Sequence, residues 1–282
     1  MRQEVDTDDG DLDDGAPTRG ALRRLADGDD GWPRAVRRTT SIVAVLVLWQ
    51  VASTRGWTGT TVPTPAATWE ALRDLLDSGV LIDAVGMSLG RVVRGMAIGV
   101  SAGLLLGAAS GLFRLGEDLI DPPLQALRLI PYVALVPFFI IWLGIGEESK
   151  FGLVALGSVF PVYLHTFHGI RGVDERHIEA ATSFGVGRIG LLWHVIAPST
   201  LPQLLIGLRQ SIAIAWITLV VAEQIAVDSG VGALLNESRT YLQTDVMFVC
   251  LLVYAAFGLL ADLLIRLVER RTLVWRGSFR GR

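Results

Sequence analysis

The sequence predicts an all-α polytopic membrane protein with six transmembrane helices. Three observations carry that prediction. The 282 residues are 51% hydrophobic and 19% charged, with a mean hydropathy of +0.48, a balance that soluble domains rarely show. Six apolar segments are each long enough to cover a hydrocarbon core of roughly 30 Å. Basic residues crowd the flanks that fall on one side of those segments.

The net charge of −3 hides an asymmetry. Residues 1–30 hold ten acids, Glu4 and nine Asp, against four Arg, so the remainder of the chain is basic. Residues 1–35 are rich in Asp and Gly and poor in aromatics, and cannot bury enough apolar area to order themselves. They are expected to form a disordered acidic cytoplasmic tail, and they lack the basic start and apolar centre of a signal peptide. The first transmembrane helix and its outer linker fall in 36–62, and its charge-free part, 39–54, lies between Arg38 and Arg55. A core with five further spans occupies 63–272, and 273–282 is a basic cytoplasmic C-terminal tail.

Within the core, Val62-Pro63-Thr64-Pro65 marks a turn before a short amphipathic helix over 64–78. The second span has its centre at 95–113. It carries Gly95, Gly99, Gly103 and Gly107, four apart, which makes one small-residue stripe of the kind close helix packing in lipid requires. The third span, 129–146, is interrupted by Pro131 and Pro137, and the fourth, 151–170, has Pro161 near its middle. The fifth covers 199–226 and the sixth 246–268. With the N-terminus inside, the inner flanks carry thirteen arginines, and the outer loops carry only Arg55, Arg73, Lys150 and Arg239. Both termini and the polar stretch after the fourth span then face the cytoplasm.

That stretch, 171–208, reads RGVDERHIEAATSFGVGRIGLLWHVIAPSTLPQLLIGL. Asp174 is placed to N-cap a short helix with Glu175 in its first turn. Ile178, Ala181 and Thr182 give that helix a small apolar face. Gly185 falls where a left-handed C-cap belongs. A second short helix follows, and Pro198 and Pro202 open the fifth span. So structured a polar elbow, in so apolar a chain, reads as a docking surface for a soluble partner.

Glu179-Ala180-Ala181, Gly185 and Ile196-Ala197-Pro198 resemble the EAA loop of ABC-importer permeases. Over residues 62 onward the chain is most similar to the nitrate/sulfonate/taurine type, through PFFIIWLGIGEESK at 137–150, FPVYLHTFHGIR at 160–171 and AWITLVVAE at 215–223. The resemblance implies a bacterial inner-membrane permease with a type I core, in which 171–200 is the coupling loop and Glu179, Ala180, Ala181, Gly185 and Pro198 are its coupling residues. It implies a homodimer of permeases, two cytoplasmic ATPase subunits that use ATP and Mg, and an extracytoplasmic solute-binding protein. Sulfonate, taurine, nitrate, a thiamine precursor and other small organic solutes remain open.

The other motifs are weaker. Gly185-Val-Gly187-Arg-Ile-Gly190 matches GxGxxG, but a dinucleotide site needs a preceding strand and a βαβ unit. Lys150, the only lysine, has no GxxxxGK[ST] around it, so the chain is expected to be a transport subunit with no P-loop of its own and no catalytic residue. His165 and His168 share a helix face, yet no HExxH or Cys/Asp pair completes a metal site; polar groups facing the bundle explain them better, and neither metal nor cofactor is expected. His177 and His194 belong to the polar elbow. Cys250 sits in an apolar run and reads as helix packing. Arg91 and Arg94, at the outer start of the second span, are expected to snorkel to the headgroups. Arg209, Trp216 and Glu223 recur every seven residues on the fifth span and are candidates for the translocation path, with Trp216 as a mid-membrane constriction and Arg209 near the cytoplasmic end; bracing of neighbouring helices is an equal reading.

Two rivals differ in class. An ion-coupled secondary transporter would show an internal repeat and mid-membrane ionisable groups, and Glu223 is the only mid-span acid outside the terminal helix. An intramembrane enzyme would pair a nucleophile with a base, which no spacing here does.

Overall fold

The computed structural model describes residues 34–55, 61–225 and 229–272; the acidic tail up to residue 33 and the basic tail from 273 lie outside them. Helices account for all the regular structure among the described residues. The described residues fall into two compact units that divide between residues 52 and 53. The helix Arg34–Thr54, α1, opens the described chain, and its apolar part is Val43–Thr54.

In the second unit α2 spans Pro65–Asp77. Pro65 lacks the amide hydrogen that a helix start leaves idle, and Thr64 caps the turn by accepting the Ala67 N–H at 3.2 Å. Gly79, at φ +77, turns the chain into α3, Val80–Leu112, whose 33 residues rise about 50 Å. Extended Phe113 separates it from α4, Arg114–Arg128. Then follow α5, Tyr132–Leu143, and α6, Glu147–Arg171. The elbow holds α7, Glu175–Ser183, and α8, Arg188–Leu191. A π turn, Leu192–Ile196, leads into α9, Ala197–Ile225; α10, Val231–Thr240, and α11, Thr244–Thr272, complete the fold. Every expected apolar segment has its helix. Among the described residues four stretches are long and apolar enough to cross a membrane, Val80–Leu112, Glu147–Arg171, Arg188–Gln224 and Thr244–Glu269, and the bent pair α4–α5 makes a fifth if it counts as one span; the sixth expected span is not among them, because the apolar part of α1, Val43–Thr54, is shorter.

Two boundaries differ from expectation. The third span is no single rod, because α5 has 12 residues and α4 meets it at 105°. Pro131 forces the residue before it out of the helical region, so the chain turns there. The fifth span does not begin afresh after the elbow. The Ala197 N–H bonds to the Leu192 carbonyl, one residue further back than in an α-helix, so the helix widens by one residue and runs on from α8 through Pro198.

α6 is the centre of this second unit, held between α3 and α9. Its whole length is met by the α3 glycine stripe: Gly95 lies against Val154, Gly99 against Ser158, Gly103 against Val162 and Gly107 against Thr166. On the other side Gly157 faces Thr218, Gly169 faces Thr200, and Gly207 of α9 faces His165. Lipid offers no hydrophobic drive between helices, so this backbone-to-backbone approach is what holds the three together. A hydroxyl ladder adds to it, with Ser211 donating to the Ser158 carbonyl at 3.1 Å.

The stripe gives a paired test. A Cβ at Gly103 would stand 2.7 Å from the Val159 carbonyl oxygen, whereas one at Gly90, on the same helix, meets nothing within 4 Å. Gly103→Leu should cost at least about 1–3 kcal/mol and abolish monodisperse protein in detergent. Gly90→Ala should keep the parent melting temperature or raise it, by a gain of about 0.5–1 kcal/mol. Equal behaviour of the two variants would disprove the packing account.

Candidate functional site

The elbow is built from backbone bonds. Asp174 sits at the N-cap of α7 and accepts the Arg176 N–H at 2.9 Å. At the other end Phe184 N–H reaches the Ala180 carbonyl at 3.1 Å. Gly185 N–H reaches Thr182 at 2.9 Å, and Val186 N–H reaches Ala181 at 3.1 Å. These are the paired bonds of a Schellman cap, and they need a left-handed residue in between. Gly185 supplies it at φ +79. A Cβ at Gly185 would meet nothing within 4 Å, so backbone conformation alone selects glycine there. Ala180 and Ala181 therefore act through their carbonyls. Glu179 is exposed and has no ion pair among the described residues. Pro198 is exposed in the first turn of α9. Around these lie large apolar side chains that the chain itself leaves bare: Phe184 is 88% exposed, Ile189 77% and Trp193 67%. His194 is tied to its own helix through the Gly190 carbonyl, and His177 is exposed.

A cavity of about 310 Å³ opens between α9 and α11 and is lined by Arg209, Trp216, Asp262 and Ile265 among others. Arg209 donates from Nη2 to Glu269 at 2.6 Å, and its Nε lies 3.4 Å from Asp262, an ionic contact without hydrogen-bond geometry. Arg266 also donates to Asp262, at 2.6 Å. Trp216 stacks on Phe257 with ring centroids 4.8 Å apart, and meets Tyr254 edge-on. Two of the three heptad residues thus face one cavity.

Glu223 does not line that cavity. Its side chain is fully buried in an ion cluster with α3. Ser88 donates to the carboxylate at 2.7 Å, Arg91 Nη1 at 2.6 Å and the Gly232 N–H at 2.9 Å. The Ser88 oxygen in turn accepts the Val231 N–H at 2.9 Å. The expectation that Arg91 snorkels is corrected, since the residue is 2% exposed. Nε and Nη2 form a fork on Glu147, each at 2.7 Å, while Nη1 and Nη2 also reach the Ser229 carbonyl and hydroxyl at 2.8 Å. All five guanidinium donors are therefore used. Lys150 completes the group by donating to Glu147 at 3.0 Å. Arg94 stays exposed. No local signal could have revealed this pairing, because Arg91 and Glu223 lie 132 residues apart; the i, i+3 placement of Ser88 and Arg91 is its only trace.

Both ring nitrogens of His165 lie near amide oxygens of α9, Gln203 at 3.1 Å and Gln210 at 3.2 Å. Among the described residues no three His, Cys, Asp or Glu side chains gather as metal ligands would. Cys250 is buried in an apolar cluster with Ala84 and Val231.

Residues 99–274 match the family described as "Binding-protein-dependent transport system inner membrane component". The chain belongs to that family. It is 43% identical over 238 residues to a putative aliphatic sulfonates transport permease of Escherichia coli K12, covering 84% of this chain and 90% of that one. A protein of the same description from Bacillus subtilis 168 is 39% identical over 257 residues, covering 89% and 90%. The taurine transport system permease of Escherichia coli K12 is 33% identical over 256 residues, covering 88% and 93%. The chain is thus the membrane permease subunit of an ABC importer, and no observation favours the ion-coupled rival.

For this permease the two carboxylates on Arg91 should separate in their effects. Glu223→Gln leaves a buried guanidinium short of its counter-charge and should destabilise the protein by about 3–5 kcal/mol. Glu147 is 44% exposed at its side chain, so water takes over much of its work and Glu147→Gln should cost about 1 kcal/mol or less. Thermal unfolding in detergent measures both; equal losses would contradict the assigned burial.

Proposed function

We propose that the chain moves an aliphatic sulfonate or taurine across the inner membrane as one of two identical permease subunits. Two cytoplasmic ATPase subunits drive the pair, with ATP and Mg, and an extracytoplasmic binding protein delivers the solute. The three sulfonate and taurine relatives, each matched over more than four-fifths of both chains, support the solute class. The elbow carries the coupling reading. It is a capped, backbone-closed turn that presents bare Phe184, Ile189 and Trp193 and continues without a break into α9. An apolar patch on such a mount suits docking to a protein partner. ATP closes the ATPase dimer and draws the two elbows together, and each α9 follows its own elbow. Glu179 contributes charge at that contact, Ala180, Ala181 and Gly185 keep the turn closed, and Pro198 marks where the elbow passes into the span.

In the same reading Arg209 and Trp216 border the route of the solute. The stacked Trp216 narrows the passage, and Arg209 meets a departing sulfonate at the inner end while Asp262 and Glu269 keep its charge balanced. Glu223 acts instead through the ion cluster, by holding the outer ends of α3 and α9 together. The 1–35 tail is a dispensable extension.

Two experiments test the proposal. Gly185→Val puts a β-branched residue where a left-handed conformation is required, at a cost of about 1–2 kcal/mol, and should re-aim the elbow. Sulfonate uptake in proteoliposomes should fall about tenfold or more while ATP hydrolysis persists; Glu179→Lys should weaken ATPase docking. Parent-like uptake in both variants refutes the coupling role. For orientation, cysteines are placed at exposed Glu148 and Ser183 after Cys250→Ala. The first should react with an impermeant reagent from outside and the second should not, and the reverse pattern inverts the topology.

A further inference from the structure

At the far end of α9 from the elbow, α10 ends in a turn that repeats the closure of α7 with a different residue. The Leu242 N–H reaches the Arg239 carbonyl at 3.3 Å, and the Gln243 N–H reaches Ser238 at 2.8 Å. This is again the Schellman pattern, and its left-handed position is held by Leu242 at φ +56. Leu242 is the only non-glycine residue with a positive φ among the described residues. Its Cβ crowds the following carbonyl in that conformation, a strain that glycine lacks. The leucine side chain recovers nothing inside the chain, because it is 80% exposed. Tyr241 beside it is 69% exposed, and exposed Arg239 has no ion pair among the described residues. Strain retained for a bare side chain points to a contact outside the molecule.

The mount beneath this tip is firm. Glu223 holds the Gly232 N–H, Ser88 holds the Val231 N–H, and Arg91 holds the Ser229 carbonyl. Gly230 stands at φ +102, where a Cβ would meet Arg91 Nη1 at 2.5 Å. The start of α10 is therefore fixed to α3 and α9, and the ten-residue helix carries the tip at its other end. The 29 residues of α9 rise about 43 Å, so elbow and tip lie on opposite faces of the bilayer.

We propose that Arg239, Tyr241 and Leu242 form the anchor on which the extracytoplasmic solute-binding protein seats. The inference rests on the permease reading above and deepens it. Tyrosine and arginine are enriched among the residues that dominate interface energy. Here they flank a leucine in one preset conformation, which suits an apolar recess with an acidic rim on the partner. A fluid headgroup layer accepts tyrosine and leucine on any backbone and gives no reason to keep the strained one.

The test uses the full-length permease with its ATPase in nanodiscs. The probe is the purified binding protein that raises ATP hydrolysis by the parent complex. Leu242→Gly relieves the backbone, so melting temperature and unstimulated hydrolysis should be kept or improved. The binding-protein concentration for half-maximal stimulation should rise about tenfold or more, as for truncation of an interface anchor. Tyr241→Ala should shift it in the same direction. Arg239→Glu should shift it most at low salt, because a rim charge acts on approach. An unchanged half-maximal concentration in Leu242→Gly and Tyr241→Ala overturns the proposal. So does a fall in melting temperature with unchanged stimulation, which would give the tip to lipid or to the second permease copy. A parent complex that takes up no ATPase would overturn the permease reading itself, and shows before any variant is made.

Discussion

The contact on which the rest of the chain depends is the close approach of α3, α6 and α9. In lipid an apolar side chain gains nothing by leaving its surroundings for another helix, so association comes from shape and from polar bonds. Gly95, Gly99, Gly103 and Gly107 let α3 lie directly on α6, and Gly157, Gly169 and Gly207 do the same for α9. With one partner's side chain missing at each crossing, the three helices have little room to slide. The Arg91–Glu223 pair then ties the outer ends of α3 and α9, and His165 reaches the two α9 glutamines nearer the elbow. The three helices are built to move together.

That stiffness gives the two ends of α9 their meaning. At one end α8 and the π turn make the elbow a continuation of the span and not a hinged appendage. At the other the cluster around Glu223 fixes α10 to the same helix. Both short helices close with the same cap, and each leaves an aromatic residue bare at the closing position, Phe184 at the elbow and Tyr241 at the tip. In the proposed coupling, a displacement applied at either cap would reach the other with little lost in bending.

Much of this was legible in the sequence, because it is local. The glycine stripe declares itself by its spacing of four, the α7 cap by Asp174 and Gly185, and the spans by their length without charge. The rest was hidden for physical reasons. The Arg91–Glu223 pair joins residues 132 apart in the chain, so the sequence leaves Arg91 reading as a snorkelling residue and Glu223 as either a pore residue or a brace. The run of α8 into α9 was masked by Pro198, which ordinarily announces a start, and the π turn absorbs it. The bend between α4 and α5 shows only as Pro131, a residue that kinks a span as readily as it ends one. Leu242 carries no glycine to mark its left-handed turn, and α10 disappears into a connection between two spans.

The most direct measurement of the central claim is a pair of spin-label distances in the assembled importer, with labels at Ser183 of the elbow and Thr240 near the tip, taken with and without ATP. The account predicts that the distance from elbow to tip within one chain stays the same while the distance between the two elbows shortens. A change in the distance within the chain, with the elbows no closer, would contradict it.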